Sequence, residues 1–523
     1  MQKFFIILLL ITIFILQSFN GFAESNNSES KSGNTFLIPF AQYFRFPSGN
    51  KLVKIKNVAL SQDNSSSKIL IYLSEPLRDL PVIMPELQSI KFNVGAVYDG
   101  PVVNNSNEQE KVRSEEYSNQ IRSEDFITEV AWNSDASGTK FLIQRQYYSP
   151  VNISQQNDPP FLSIEFQRNY FEKESLDLKP GIVKHTFRTV CEHGPVVANV
   201  LELALMNENI SLKVGLPDKS RIKNKESLTD LIEKTMAYAG INANYFDVKI
   251  GNPLGALITD GEWLVGPIYN RVAIGFTKDK KILIDKVKLD GIATLYRGFK
   301  KKEFSMFAID GLNTPIKLYR NVGLFTPNWD SKIELPKGIN AAIVRDNCVK
   351  KIAKRSVKIP KDGFILIRNH GDISDLVKKR DCLMVSWNTN PDWSNVVEAI
   401  SGGPYLIMSG EVYVDLDEEK FSFAKKDIYA PRTAIGFDKN HKLYLITVDG
   451  RKKGHSVGLT LNELAEFLKK INLQEAINLD GGGSTTLVVN GEVINRLSEH
   501  HQRKISNGLL IFYSEPLSFN HHF

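Results

Sequence analysis

Asp480 sits at the head of Asp480-Gly-Gly-Gly-Ser-Thr-Thr486, directly after the apolar run Ala476 to Leu479. A carboxylate at a strand end, beside glycines whose N–H groups can turn toward an anion, could serve a reaction that builds charge on both sides of a breaking bond. Ser484 and Thr485 add hydroxyls, and Gly482 and Gly483 allow close backbone approach. A second carboxylate, Asp449, ends the strand-like Lys442 to Val448 and is followed by Gly450-Arg451, with Arg432 a short way upstream. Ordinary Asp-Gly turns would produce some of the same pattern. No Gly-Lys-Ser/Thr follows the glycines, so the loop is not a nucleotide-binding P-loop.

Three further stretches accompany that loop: Ala430-Pro-Arg-Thr-Ala-Ile-Gly436, Asp449-Gly-Arg451, and Ser456-Val-Gly-Leu-Thr-Leu-Asn-Glu-Leu-Ala465. With Asn478 to Thr486 they closely resemble the phosphodiester glycosidase family, whose bacterial members include exopolysaccharide biosynthesis proteins. The resemblance extends over roughly Lys179 to Tyr513 and takes in Gly240-Ile-Asn-Ala-Asn-Tyr-Phe246, Gly251-Asn-Pro-Leu-Gly255 and Gly402-Gly-Pro404. It implies an enzyme that hydrolyses sugar-1-phosphodiesters at the anomeric carbon. Such a reaction passes through an oxocarbenium-like state, which carboxylates stabilise while one activates water. The phosphate leaves as a weak base, so charge stabilisation by arginine and loop N–H groups matters more than a strong acid.

On that reading Asp480 and Asp449 are the catalytic carboxylates. Asn242, Arg271, Arg432, Arg451, Gly482, Gly483, Ser484, Thr485 and Arg503 are the substrate-binding set. Each has a structural alternative. Asp449 could simply close its strand, Arg432 and Arg451 could pair with the two aspartates, and Asn242 could be a turn residue. Glu398, before Gly402, is a third carboxylate without a defined role. His500 and His501 read as an exposed loop pair rather than metal ligands. No cofactor is expected; a divalent metal is compatible with the chemistry but nothing in the spacing indicates one. A glycan-binding or exopolysaccharide assembly protein that keeps the pocket without catalysis is the competing class. The two intact aspartates favour the enzyme.

The elements that must position these residues are mostly short strands. Asn490-Gly491 marks a hairpin turn. Asn270-Arg-Val-Ala-Ile-Gly-Phe-Thr-Lys278 echoes Pro431-Arg-Thr-Ala-Ile-Gly-Phe-Asp-Lys439, each preceded by a Gly-Glu turn, Gly261-Glu262 and Gly410-Glu411. The echo equates Arg271 with Arg432. Ser227 to Tyr238 has helical spacing, and Thr460-Leu-Asn-Glu463 is a capping box opening a helix through Leu468. These signals lead to an α+β expectation, a large, mostly antiparallel sheet flanked by helices over 179–515. A small β-rich accessory domain precedes it over 36–178, with strand-like runs at 53–58, 68–73, 141–143 and 161–166. Lys179-Pro-Gly181 is the expected boundary, and envelope polysaccharide the expected partner of the accessory domain.

The 523 residues, 42% apolar and 24% charged, suffice for two or three globular domains. Lys3 followed by the apolar Phe4 to Leu16 and Gly21-Phe-Ala23 reads as a signal peptide over 1–23, with a disordered Ser/Asn-rich linker over 24–35. This predicts a secreted or envelope protein; an uncleaved anchor is the alternative. Lys3 is the only charge before Glu24, so removing the segment takes the net charge from +6 to +5. The basic residues are scattered, without the basic-aromatic clustering that nucleic-acid binding uses. Three cysteines at long spacings make neither a disulfide framework nor a zinc site. Buried thiols are the simplest reading; if one bond forms, Cys348 and Cys382 are the pair.

Overall fold

The structure, a computed structural model, describes residues 53–515 except 87, 102–118, 219–220, 298–301 and 422–427. The signal peptide and linker expected over 1–35 lie outside the described residues. From Leu52 onward the chain forms one compact unit.

Strand accounts for 52% of the described residues and helix for 6%. This corrects the α+β expectation: the fold is nearly all β, with two α-helices among the described residues. Both form where the sequence places them. Helix α1, Leu228–Thr235, is capped by the Ser227 side chain accepting from Asp230 N. Helix α2, Leu461–Lys470, carries the reciprocal Thr460–Glu463 capping box. They are short, however, and most other connections are tight turns rather than helical crossovers, so no helical layer flanks the sheets.

Two five-stranded sheets build the N-terminal part. One contains Val53–Gln62, Ser66–Leu73, Ala96–Tyr98, Val151–Asn157 and Pro160–Gln167; the other includes Ser89–Val94, Ile127–Asp135 and Gly138–Arg145. Strict alternation decides which side of each strand is buried. Ile69, Ile71 and Leu73 face inward with Leu162, Ile164 and Phe166, meeting Phe92, Trp132, Phe141 and Ile143 from the other sheet in one apolar cluster. Phe171–Lys179, which follows, belongs to an eight-stranded sheet, where Lys179-Pro-Gly181 is the turn into Ile182–Cys191.

The rest of the protein uses one strand arrangement three times. Its central strands are Ala239–Asn242, Val396–Ser401 and Leu473–Asn478. Each pairs on one side with an antiparallel strand, Gly508–Tyr513, Ala273–Thr277 and Arg432–Asp438 respectively. On the other side each has a hairpin: Leu487–Val489 with Glu492–Val493, Leu257–Thr259 with Glu262–Val265, and Tyr405–Met408 with Glu411–Val412. The registers agree, with Asn242 opposite Gly508, Ser401 opposite Ala273 and Asn478 opposite Ala434. One residue further on, the same bond recurs: Ala243 N donates to Asn507 O at 3.2 Å, Gly402 N to Val272 O at 3.1 Å and Leu479 N to Thr433 O at 2.8 Å. The hairpin turns share left-handed pairs too, Asn490-Gly491 (φ 51°, 79°), Asp260-Gly261 (53°, 78°) and Ser409-Gly410 (52°, 80°). The sequence echo is thus two of three structural copies, and it does equate Arg271 with Arg432.

The copies differ in what they carry. Between Ile282–Asp285 and Val396–Ser401 the second copy holds a further eight-stranded sheet, running from Lys288–Arg297 to Cys382–Asn390. Cys348 and Cys382 lie directly opposite each other in that sheet and are disulfide-bonded, while Cys191 is a free thiol. The third copy has α2 at the corresponding point.

Candidate functional site

Leu473–Asn478 delivers Asp480 to the point where the three central strands converge. Asp480 N donates to Ala243 O at 3.1 Å, and Asn242 Nδ2 donates to Asp480 O at 2.5 Å. Asn242 Oδ1 accepts from Thr486 N at 3.0 Å and from the Thr433 hydroxyl at 3.1 Å. Asn242 is therefore buried beneath the loop, bracing its backbone at both ends. Thr485 joins the same brace, its hydroxyl 3.2 Å from that of Thr433.

The glycines turn sharply. Gly482 N donates to Pro431 O at 2.9 Å, and Gly482–Ser484 forms a single 3₁₀ turn. Gly482 has φ 62°, and a Cβ there would lie 3.6 Å from an Arg451 guanidinium nitrogen. A Cβ on Gly483 would collide with the Arg503 guanidinium and the Glu499 carboxylate. The glycines thus let two arginines close on the loop. Gly483 N–H has no partner among the described residues and is the loop's open donor.

Burial pushes the Asp480 carboxyl up to about 6, against the opposing pull of the Ser484 hydroxyl, the Arg503 charge and the Gly481 N–H. Tyr245 lies close enough for its phenol to be raised by burial and then by the Asp480 charge, with Arg271 and Arg432 acting in the other direction. The Tyr245 hydroxyl donates to Gly403 O at 3.0 Å and accepts from Asn478 Nδ2 at 2.6 Å. Asp480, Tyr245, Arg271, Arg432 and Arg503 thus share one neighbourhood.

The arginines are not equivalent. Arg503 is ion-paired with Glu499. Arg451 is exposed and holds a left-handed backbone, φ 59°. Arg271 is buried, stacked 3.9 Å over the Phe421 ring, with Nε 3.4 Å from Glu419 O. Arg432 donates from Nε to Leu459 O at 2.7 Å and from NH2 to Ile428 O at 2.6 Å. Arg271 and Arg432 thus have backbone carbonyls as hydrogen-bond partners and, among the described residues, no carboxylate within ion-pair distance. Burial lowers both of their pKa values, as it does for any cation removed from water.

Asp449 is placed differently from Asp480. It is 1% exposed, with Oδ2 2.7 Å from His455 Nε2 and Oδ1 accepting from Arg496 N at 2.9 Å. Both oxygens are engaged, and they fix the corner that presents Arg451. Glu398 is remote in role. It accepts from Val214 N at 2.7 Å and Asp260 N at 3.0 Å, pinning a hairpin turn. Glu475 pins the sister turn through Ser409 N at 2.9 Å.

Tyr245, His455, Glu499 and Phe421 were not singled out from sequence. Tyr245 had a signal, lying in the quoted Gly240 to Phe246 segment. The others are recruited by register and loop closure, which no local pattern announces.

Residues 337–512 match the family model described as phosphodiester glycosidase. The chain is 40% identical over 115 residues to N-acetylglucosamine-1-phosphodiester alpha-N-acetylglucosaminidase of Homo sapiens, covering 20% of this chain and 22% of that protein. The match spans about a fifth of that relative's length. Among solved structures, a hypothetical protein from Synechocystis superposes with TM-score 0.60 at 20% identity, covering 89% of this chain and 81% of that one. A Burkholderia pseudomallei protein described as exported gives TM-score 0.51 at 15% identity, over 92% and 100%. These two share the fold.

Proposed function

We propose, for a chain that belongs to the phosphodiester glycosidase family, that it is an exported hydrolase cleaving the sugar–oxygen bond of sugar-1-phosphodiesters in envelope or extracellular glycans. One observation carries this reading. A buried carboxyl raised to about 6 shares its neighbourhood with Arg271 and Arg432, two guanidinium groups that hydrogen-bond to backbone carbonyls and form no ion pair among the described residues.

The bridging phosphate, with one negative charge, fits Arg271, Arg432 and the Gly483 N–H, with Arg451 and Arg503 at the loop. As the anomeric C–O bond breaks, its electron pair leaves on the phosphate oxygen, where the arginines hold the growing charge. Asp480 faces the cationic carbon and takes the proton from the attacking water, whose oxygen bonds to that carbon. Asp449 acts as a positioning residue through His455 and the Arg496 backbone. The Cys348–Cys382 bond suits an oxidising compartment, and the fold is shared with a protein described as exported. The N-terminal sheets serve polymeric substrate rather than the chemistry.

Hydrolysis of a panel of sugar phosphodiesters in ¹⁸O-labelled water, with and without chelator, tests the proposal. The label is expected on the anomeric hydroxyl, with unlabelled phosphate. Label in the phosphate overturns sugar–oxygen cleavage. Absence of turnover across the panel, with retained binding, leaves the noncatalytic glycan-binding reading.

A further inference from the structure

The N-terminal sheet that contains Ser66–Leu73 has one face in the apolar core and one turned outward. Its registers align the outward side chains in rows across four strands. Asn57, Tyr72, Phe161 and Gln156 form the first row; Ala59, Leu70, Ser163 and Ser154 the second; Ser61, Lys68, Glu165 and Asn152 the third. Alternate residues on a strand lie about 7 Å apart and neighbouring strands about 4.8 Å, so the rows cover a patch of about 14 Å by 14 Å. A cleft of 460 Å³ lies over it, lined by residues that include Phe161, Ser163, Ser154, Gln156, Lys68 and Glu165.

The composition of this face is specific. Tyr72 and Phe161 sit side by side, ring centroids 5.9 Å apart, and both keep solvent-accessible surface. Phe161 lines the cleft, and Tyr72 extends its apolar surface on the neighbouring strand. Exposed amides (Asn57, Gln156, Asn152) and hydroxyls (Ser154, Ser61) surround it. Within these three rows the one cation and one anion, Lys68 and Glu165, pair with each other at 3.1 Å, so the rows carry no net charge. An uncharged patch fits neither nucleic acid nor a polyanion, which require a surplus of cations. It matches a ligand that presents an apolar face and many hydroxyls at once.

We propose that this sheet face is a docking site for an uncharged polysaccharide chain, with one pyranose stacked on Tyr72 and Phe161 and its neighbours hydrogen-bonded to the amide and hydroxyl rows. The site delivers polymer to the protein and takes no part in bond cleavage. Its residues lie on different strands from the Asp480 loop, so binding and turnover can fail separately.

Affinity electrophoresis of the full chain through gels containing neutral α- and β-glucans, mannan or galactomannan tests this. At least one neutral polymer is expected to retard the protein, and Tyr72→Ala with Phe161→Ala to weaken that binding about tenfold or more, as loss of an aromatic anchor does. Ser154→Glu, which removes no packing, is expected to weaken it as well. Hydrolysis of a small soluble sugar phosphodiester should be unchanged in both variants. Failure of every neutral polymer to bind overturns the proposal, as does undiminished binding by the folded variants. Retardation by polyphosphate alone overturns it too, and so does dimerisation abolished by the same substitutions.

Discussion

Val396–Ser401 and Leu473–Asn478 are the same strand in two copies of one unit, yet they end in different chemistry. The register that equates Ser401 with Asn478 also equates Gly403 with Asp480. Gly403 has φ 118°, and a Cβ there would meet the Phe421 ring at 2.7 Å and the Glu419 carboxylate. The second copy has no room for a side chain at that point. Its Arg271, stacked on Phe421, fills the neighbourhood instead. In the remaining copy the equivalent position is Asn244, buried and bonded to Asn507 and to the carbonyls of Leu254 and Ala256. Three exits from one scaffold thus give a carboxylate, a tightly packed glycine beside a cation, and a structural amide. The repeated hydrogen bonds establish the frame; the first two residues beyond it decide the chemistry.

The sharpest test of that contrast is Asp480→Asn. Turnover is expected to fall by about 10² to 10⁴, the usual contribution of a positioned acid or base, with ligand affinity retained. Isothermal titration with a non-hydrolysed analogue, beside the rate assay, separates the two. A fully active, folded variant would reduce Asp480 to turn chemistry. The same substitution should stabilise the protein. A carboxyl raised from 3.8 to about 6 on folding binds its proton more tightly in the folded chain, so stability falls as pH rises from about 4 to 6 and is level above. The penalty is up to about 3 kcal/mol. Urea unfolding at pH 8 should show Asp480→Asn ahead by part of that amount, with no advantage below pH 4.

Arg271→Ala and Arg432→Ala weigh the two copies against each other. Each is expected to lower kcat/KM by about 10- to 100-fold, as loss of a charged donor to a developing anion does. A silent Arg271 would make its copy scaffold alone. The pH profile is a gentler probe. With Asp480 acting as a base, kcat/KM should rise about tenfold for each unit of pH below about 6 and level off above. A profile that falls through pH 6 would make it an acid instead.

Smallest are the hairpin pins. Glu398→Gln and Glu475→Gln should each cost about 1 to 3 kcal/mol in denaturant unfolding and leave kcat unchanged. Glu398, which is buried, should cost the more. A large loss of activity from Glu398→Gln in the folded protein would return that carboxylate to the chemistry.

What could be read in advance was what local chemistry specifies. Thr460 and Glu463 announced α2, Asn490-Gly491 its hairpin, and the repeated Arg-x-Ala-Ile-Gly segments their shared position. The α+β expectation fails because one stretch of helical spacing and one capping box suggest a helical layer, whereas these helices are 8 and 10 residues long among dozens of strands. Asp480 stood out because glycines flank it. The engagement of Asp449 with His455 and Arg496, and the bracing role of Asn242, depend on residues brought together from distant strands. No spacing rule encodes them.

The bond from Asn242 to the Asp480 carbonyl joins residues 238 positions apart, and Ala239–Asn242 is itself flanked by Gly508–Tyr513. The seat of Asp480 is therefore completed by the last strand described. Non-local pairings of this kind form late, so Asp480 has no seat until Gly508–Tyr513 pairs with Ala239–Asn242.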